Sequence, residues 1–134
     1  MKIGLLEDNP ATVTLLTTAL EMAGHTIFSY SDGASLLDDL FAGHRIHAAL
    51  PYDLLLVDLY LPGGLSGVAV IASIRAAIPP DQLPLIVISA ASKRDLEALQ
   101  ASHPDIPTLQ KPLKLKHLVE AIERSNKGRA TSAG

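Results

Sequence analysis

The sequence predicts a doubly wound α/β domain, a five-stranded parallel sheet with helices on both faces, and three observations lead there. Short apolar runs alternate with stretches of helical periodicity five times along the chain, and consecutive β-α units of this kind pair as parallel strands. The third run, "YDLLLVDL" at 52–59, is apolar at nearly every position, as a strand covered on both faces must be. Charged and hydroxyl residues gather just after the runs, where open parallel sheets bind their ligands.

Each element has its own signal. "KIGLLED" (2–8) is a short apolar run bounded by Asn9-Pro10, a buried strand. Asn9 caps a helix that opens with Pro10 at its first position. Val13, Leu16, Leu20 and Ala23 fall on one face of that helix, and Gly24 stops it. "TIFSYS" (26–31) is β-branched and aromatic, a second strand. From Asp32, the spacing of Leu36, Leu37, Leu40 and Phe41 marks an amphipathic helix. A connection that is long for this architecture, "AGHRIHAALP" (42–51), leads to the third strand at 52–59. After the turn "PGGLSG", Ile71, Ile74 and Ile78 recur at helical spacing over 67–78, ended by Pro79-Pro80. "PLIVISA" (84–90) is the fourth strand. Ser92 with Asp95 resembles a capping box for a short helix ending near Ser102. "IPTLQK" (106–111) is a fifth strand, and Pro107 assigns it to an edge. Leu115, Leu118, Val119 and Ile122 form the inner face of a last helix. Residues 126–134 read as a tail or the start of a linker, so the domain spans 1–125.

Composition removes several classes of function. The 134 residues carry a net charge of −3, which speaks against direct nucleic-acid binding. With no cysteine there is neither a disulfide framework nor a thiolate zinc site. No apolar segment approaches the ~18 residues of a membrane helix, and the N-terminus lacks a signal-peptide pattern, so the expected location is cytoplasmic. His44 and His47 share a spacing of three but have no obvious third ligand, and read as a surface pair. Phe28, Tyr30 and Phe41 read as core or rim packing. The glycines at 63, 64 and 67 form a turn; the dinucleotide spacing after the first strand is absent, and so is a P-loop.

The residues at the strand ends point to a chemistry. Glu7 and Asp8 follow the first strand, Asp58 the third, Ser89 the fourth and Lys111 the fifth. Clustered carboxylates repel unless a cation intervenes, and a hard divalent ion with oxygen ligands suits them. A lysine adds a point charge for a phosphoryl oxygen. Acid pair, central acid, hydroxyl and lysine together suggest transfer of a phosphoryl group onto Asp58.

The motifs "LLEDNP", "DLLLVDLYLPGGLSG", "VISAAS" and "LQKPL", in that order over roughly residues 1–125, resemble the receiver domain of two-component response regulators. Each is weak alone, and the ordered set is specific. The resemblance implies a flavodoxin-like (βα)5 three-layer sandwich with strand order 2-1-3-4-5. It implies Asp58 as phosphoacceptor, Glu7 and Asp8 as the acidic pair for Mg²⁺ (with Mn²⁺ as its substitute), and the backbone carbonyl of Tyr60 as a further ligand. Ser89 would be the switch hydroxyl and Lys111 the phosphoryl-contacting lysine, with a cis Lys111-Pro112 bond. The implied partners are a sensor histidine kinase or phosphotransfer protein and an output partner or output domain. A homodimer would form through the face of the fourth helix, fifth strand and fifth helix. Such a protein is a phosphoacceptor, not a turnover enzyme on a separate substrate.

Three features depart from the family pattern. Thr108 stands where an aromatic often precedes the lysine. The turn after Asp58 is one residue longer than the common form. The segment "QASHPDIPTLQ" has two prolines and lacks the usual Gly-Ala pair. Thr108 is the feature that favours the competing reading, a phosphorylation-independent interaction module. A phosphohydrolase of the aspartate-nucleophile type is disfavoured, because Tyr60 stands where its second acid would be.

Overall fold

Leucine, isoleucine and valine crowd the middle strands because helices cover the sheet on both sides. A computed structural model describes residues 1–45, 50–60 and 66–133 of the chain. Strands β1 (Lys2–Leu6), β2 (Thr26–Tyr30), β3 (Leu54–Asp58), β4 (Leu85–Ser89) and β5 (Thr108–Gln110) are all parallel, in the order β2-β1-β3-β4-β5. Helices α1 (Pro10–Met22), α2 (Gly33–Arg45), α3 (Gly67–Ala77), α4 (Lys93–Ser102) and α5 (Leu115–Ala133) alternate with them. The predicted fold class and strand order are those observed.

Side-chain alternation along the strands divides the interior into two clusters. Leu55 and Val57 of β3 and Leu85 and Val87 of β4 pack with Leu36, Leu40, Val70, Ile71, Ile74, Leu96 and Leu99, which belong to α2, α3 and α4. Their neighbours Leu54, Leu56, Ile86 and Ile88 pack on the other face with Leu16, Leu20, Leu118, Ala121 and Ile122 of α1 and α5. β3 and β4 are buried at every position, whereas the edge strands β2 and β5 are not. Full burial of each such side chain is worth roughly 1.5–3 kcal/mol, so the two central strands anchor everything displayed at their ends.

The helix boundaries follow local chemistry. The Asn9 side chain accepts from the backbone N–H groups of Ala11 and Thr12 at 2.9 and 3.2 Å. At the other end of α1, Gly24 adopts φ 95°. Its N–H donates to Glu21 O, and that of His25 to Leu20 O, both at 3.0 Å, a Schellman closure that needs the left-handed residue. Ser66 and Ser92 cap α3 and α4 in the same manner as Asn9. Only half of the capping box at Ser92 is formed, because the Asp95 carboxylate accepts from Tyr60 instead. Pro107 lies just before edge strand β5 and gives its carbonyl to Val87 N–H at 2.9 Å, a role that needs no donor of its own.

Some features extend or refine the expectations. α5 continues to Ala133, through residues that read as a tail, because Lys127, Arg129 and Ala130 are good helix formers and no proline interrupts them. Phe28 is 42% exposed on edge strand β2, its ring against Tyr52 at a centroid distance of 5.7 Å. Arg75 of α3 serves as a staple: it pairs with Asp105 at 3.0 Å and donates to the carbonyls of Ile78 and Leu83. His47, the side chain of His44 and residues 61–65 of the turn after Asp58 lie outside the described residues. Among the described residues, no helix is long and apolar enough to cross a membrane.

Candidate functional site

Glu7 is the first residue beyond β1. Its N–H still donates to Tyr30 O at 3.0 Å, which keeps it in line with the sheet while its side chain turns inward. At 1% exposure the carboxylate must be fully paired, and it is. Oε1 accepts from Lys111 Nζ at 2.5 Å, and Oε2 accepts from the N–H groups of Asp8 and Asn9 at 3.0 and 3.4 Å. The chain therefore turns around this carboxylate as it leaves β1 for α1.

Asp58, the last residue of β3, is 4% exposed. Its Oδ2 accepts from Lys111 Nζ at 3.2 Å and its Oδ1 from Tyr60 N–H at 3.1 Å. Lys111 follows β5, its own N–H donating to Ser89 O at 2.7 Å, and the Lys111-Pro112 bond is cis. One ammonium thus joins the ends of β1, β3 and β5.

Burial alone would lower the Lys111 pKa. The hydrogen bond to Glu7 and the charge of Asp58 outweigh it, and the net shift is upward. A cation whose folded pKa is raised contributes fully below its ordinary value of 10.5, and that stability is lost only as pH rises beyond it. Lys111 therefore remains an ammonium throughout the neutral range.

The charges at this rim do not balance. A carboxylate oxygen from each of Glu7, Asp8 and Asp58 lies within 4.8 Å of the other two, and among the described residues the one ammonium at the cluster, Lys111, pairs with Glu7 and Asp58. Asp8 is partly exposed at the mouth of the cluster, and the described residues contain no other such group of His, Asp and Glu side chains. An all-oxygen donor set with surplus negative charge fits a hard divalent cation such as Mg²⁺ and not a softer metal.

The structure brings together four of the residues singled out in the sequence: Glu7, Asp8, Asp58 and Lys111. Ser89 lies on the same rim but is fully buried, and its hydroxyl accepts from Ala91 N–H at 3.0 Å. Tyr60 touches Asp58 through its backbone, while its side chain, 55% exposed, donates to Asp95 at 2.6 Å. Thr108 begins β5 and is half-buried. Two participants were not legible beforehand. One is the Tyr60 hydroxyl. The other is Gly67, whose N–H donates to Leu59 O at 3.1 Å and which packs against the backbone of Asp58 itself. A glycine directly after the Ser66 cap, where most residues would do, was the available signal.

The family model for the response regulator receiver domain matches residues 3–123, nearly the whole chain. The chain belongs to the response regulator receiver domain family. Solved receivers share its architecture. TrrA, a response regulator of Thermotoga maritima solved in complex with Mg²⁺-BeF, is 25% identical with a TM-score of 0.75, over 92% of this chain and 97% of that one. The receiver domain of sensor histidine kinase PA1611 from Pseudomonas aeruginosa, with magnesium coordinated in its active-site cleft, is 28% identical with a TM-score of 0.72, over 92% and 94%. A CheY-like receiver of Methanospirillum hungatei is 15% identical with a TM-score of 0.81, over 98% and 97%, and shows the fold alone. No curated protein matches the sequence. In this receiver the acidic cluster and the lysine occupy the carboxyl rim of the sheet, where the fold exposes its strand ends.

Proposed function

We propose that this receiver accepts a phosphoryl group on Asp58 in a two-component phosphorelay, in the cytoplasm, from a phosphohistidine of a sensor kinase or phosphotransfer protein. The observation that carries the reading is the charge imbalance at the rim: among the described residues, three convergent carboxylates against the single ammonium of Lys111. Such a site is built to gain a divalent cation and a phosphoryl group together. Residues 1–125 form the receiver unit, and residues 126–134 are its C-terminal tail or the start of a linker.

In this mechanism a carboxylate oxygen of Asp58 attacks phosphorus while the bond to the donor nitrogen breaks. Glu7, Asp8, Asp58 and the Tyr60 carbonyl would hold Mg²⁺, which when bound neutralises charge on the transferring group. Lys111, fixed by Glu7, presents its ammonium to a phosphoryl oxygen at no further ordering cost. Ser89 would leave Ala91 N–H and donate its hydroxyl to the phosphoryl group. That displacement moves the start of α4 and biases the face of α4, β5 and α5 toward its output partner or a second copy.

Intact-protein mass after incubation with acetyl phosphate tests the reading. The expected result is a gain of one phosphoryl group that requires Mg²⁺ and is lost on mild base treatment. If chelation leaves the gain unchanged, the metal role fails; if no gain occurs with this donor or with phosphorylated kinase, the phosphorylation-independent module takes its place.

Two variants separate the roles of metal and lysine. Asp8→Ala removes an anionic ligand from the mouth of the site, and Mg²⁺ affinity, followed by titration of amide shifts, falls roughly 10- to 100-fold. An unchanged titration removes Asp8 from the metal site. Lys111→Ala leaves two buried carboxylates facing each other. Without metal the fold loses about 2 kcal/mol, less than for a fully buried pair because the lysine side chain is 21% exposed. Mg²⁺ then raises the melting temperature more in this variant than in wild type, while phosphoryl uptake slows. Equal metal stabilisation of both proteins would contradict that account.

A further inference from the structure

Tyr60 bonds in two directions. Two residues beyond Asp58, its N–H is on Asp58 Oδ1 at 3.1 Å, while its hydroxyl reaches 35 positions along the chain to Asp95 Oδ2 at 2.6 Å. Asp95 sits in the first turn of α4, where its own N–H is held by the Ser92 cap at 3.2 Å. The cap in turn follows Ala91, which contacts the Ser89 hydroxyl. The ends of β3 and β4 are thus joined twice: through the sheet, and through a bridge of side chains above it. The second route bypasses β5, where the half-buried Thr108 provides no large side chain to change position.

We propose that the Tyr60–Asp95 hydrogen bond is a positioning strap that couples occupancy of the Asp58 rim to the N-terminal turn of α4. The inference rests on the receiver reading given above, and deepens it by naming the contact through which the site reaches α4. The coupling follows from the bonding pattern. An occupant that engages Asp58 Oδ1 competes with Tyr60 N–H for that oxygen, so the backbone at Tyr60 shifts. A short hydrogen bond from the same residue to Asp95 passes the shift to α4, whose first turn is otherwise held by the Ser92 cap. The bond is exposed, so it adds no more than one hydrogen bond's worth of local stability to the first turn of α4, and its role is geometric. Tyr60 and Asp95 touch no reacting atom with their side chains; they position.

The test compares wild type, Tyr60→Phe, Asp95→Ala, Asp95→Asn and the double variant Tyr60→Phe/Asp95→Ala, each with Mg²⁺ and beryllofluoride as the phosphoryl mimic. Amide chemical shifts of Glu7, Asp8 and Lys111 report whether the rim is occupied, and amide exchange over residues 93–102 reports α4. In wild type, occupancy changes α4 exchange by roughly threefold to tenfold, the size of one hydrogen bond. Asp95→Ala, which leaves every rim residue in place, still shows rim occupancy but loses most of the α4 response; Tyr60→Phe loses the same response, and the double variant loses no more than either single one. Asp95→Asn keeps an accepting oxygen without the charge, and retains the response; this separates the strap from a mere interaction of Asp95 with the helix dipole. An α4 response of wild-type size in Tyr60→Phe or Asp95→Ala, or its loss in Asp95→Asn, overturns the strap. A rim that stays empty in wild type overturns the receiver chemistry on which it rests.

Discussion

Asp58→Ala is expected to take up no phosphoryl group from acetyl phosphate under conditions expected to phosphorylate the wild type. The reacting oxygen is gone, and the neighbouring acids cannot replace it. Glu7 is 1% exposed, with one carboxylate oxygen on Lys111 and the other on two backbone N–H groups. Asp8 lies at the mouth, where it would hold the proposed cation. The same variant keeps its fold, for a reason that can be measured separately. Removing Asp58 does not orphan Lys111, because the ammonium retains Glu7 at 2.5 Å, and one fewer buried charge must be compensated. Urea unfolding is therefore expected within about 1 kcal/mol of wild type. Persistent labelling of Asp58→Ala would remove the residue from its role, whereas a collapsed unfolding midpoint would show that it also holds the sheet end together.

Gly67→Ala is the second large effect, and it comes from a residue with no functional group. A Cβ at this position would stand 2.1 Å from the Asp58 carbonyl oxygen, 2.6 Å from Leu59 Cα and 2.9 Å from the Asp58 carbonyl carbon. All three are backbone atoms at the end of a fully buried strand, so no flexible side chain can yield. Either α3 lifts away from β3, disturbing the packing of Val70, Ile71 and Ile74, or the backbone of Asp58, the proposed acceptor, is displaced. The expected cost is about 3 kcal/mol, at the upper end for overpacking, and phosphoryl uptake slows even in the fraction that remains folded. Gly24 is the contrast: its φ of 95° disfavours alanine, but nothing lies within 4 Å of the added Cβ. Gly24→Ala therefore costs only about 1 kcal/mol and leaves uptake unchanged. Denaturation midpoints together with uptake rates distinguish the two glycines; equal behaviour would show that close approach to Asp58 is not what Gly67 provides.

Much of this protein was legible in the chain itself, because the determining interactions are local or periodic. The run Leu54–Val57 demands a strand covered on both faces, Asn9-Pro10 demands a helix start, and Gly24 a helix stop. Strand ends are readable from sequence, and a parallel sheet places its binding residues there, so Glu7, Asp8, Asp58, Ser89 and Lys111 could be singled out as candidates. The tertiary structure decided how they relate. Lys111 and Glu7 are 104 positions apart, and no spacing rule says that one ammonium holds two buried carboxylates, leaving the cluster short of positive charge. Nor does any local pattern place Tyr60 on Asp95 or press Gly67 against the Asp58 carbonyl. These contacts arise only when parallel strands stack in register and helices pack on them. Periodicity and capping act within a few residues, whereas charge compensation and close approach act between segments that only the folded chain brings together.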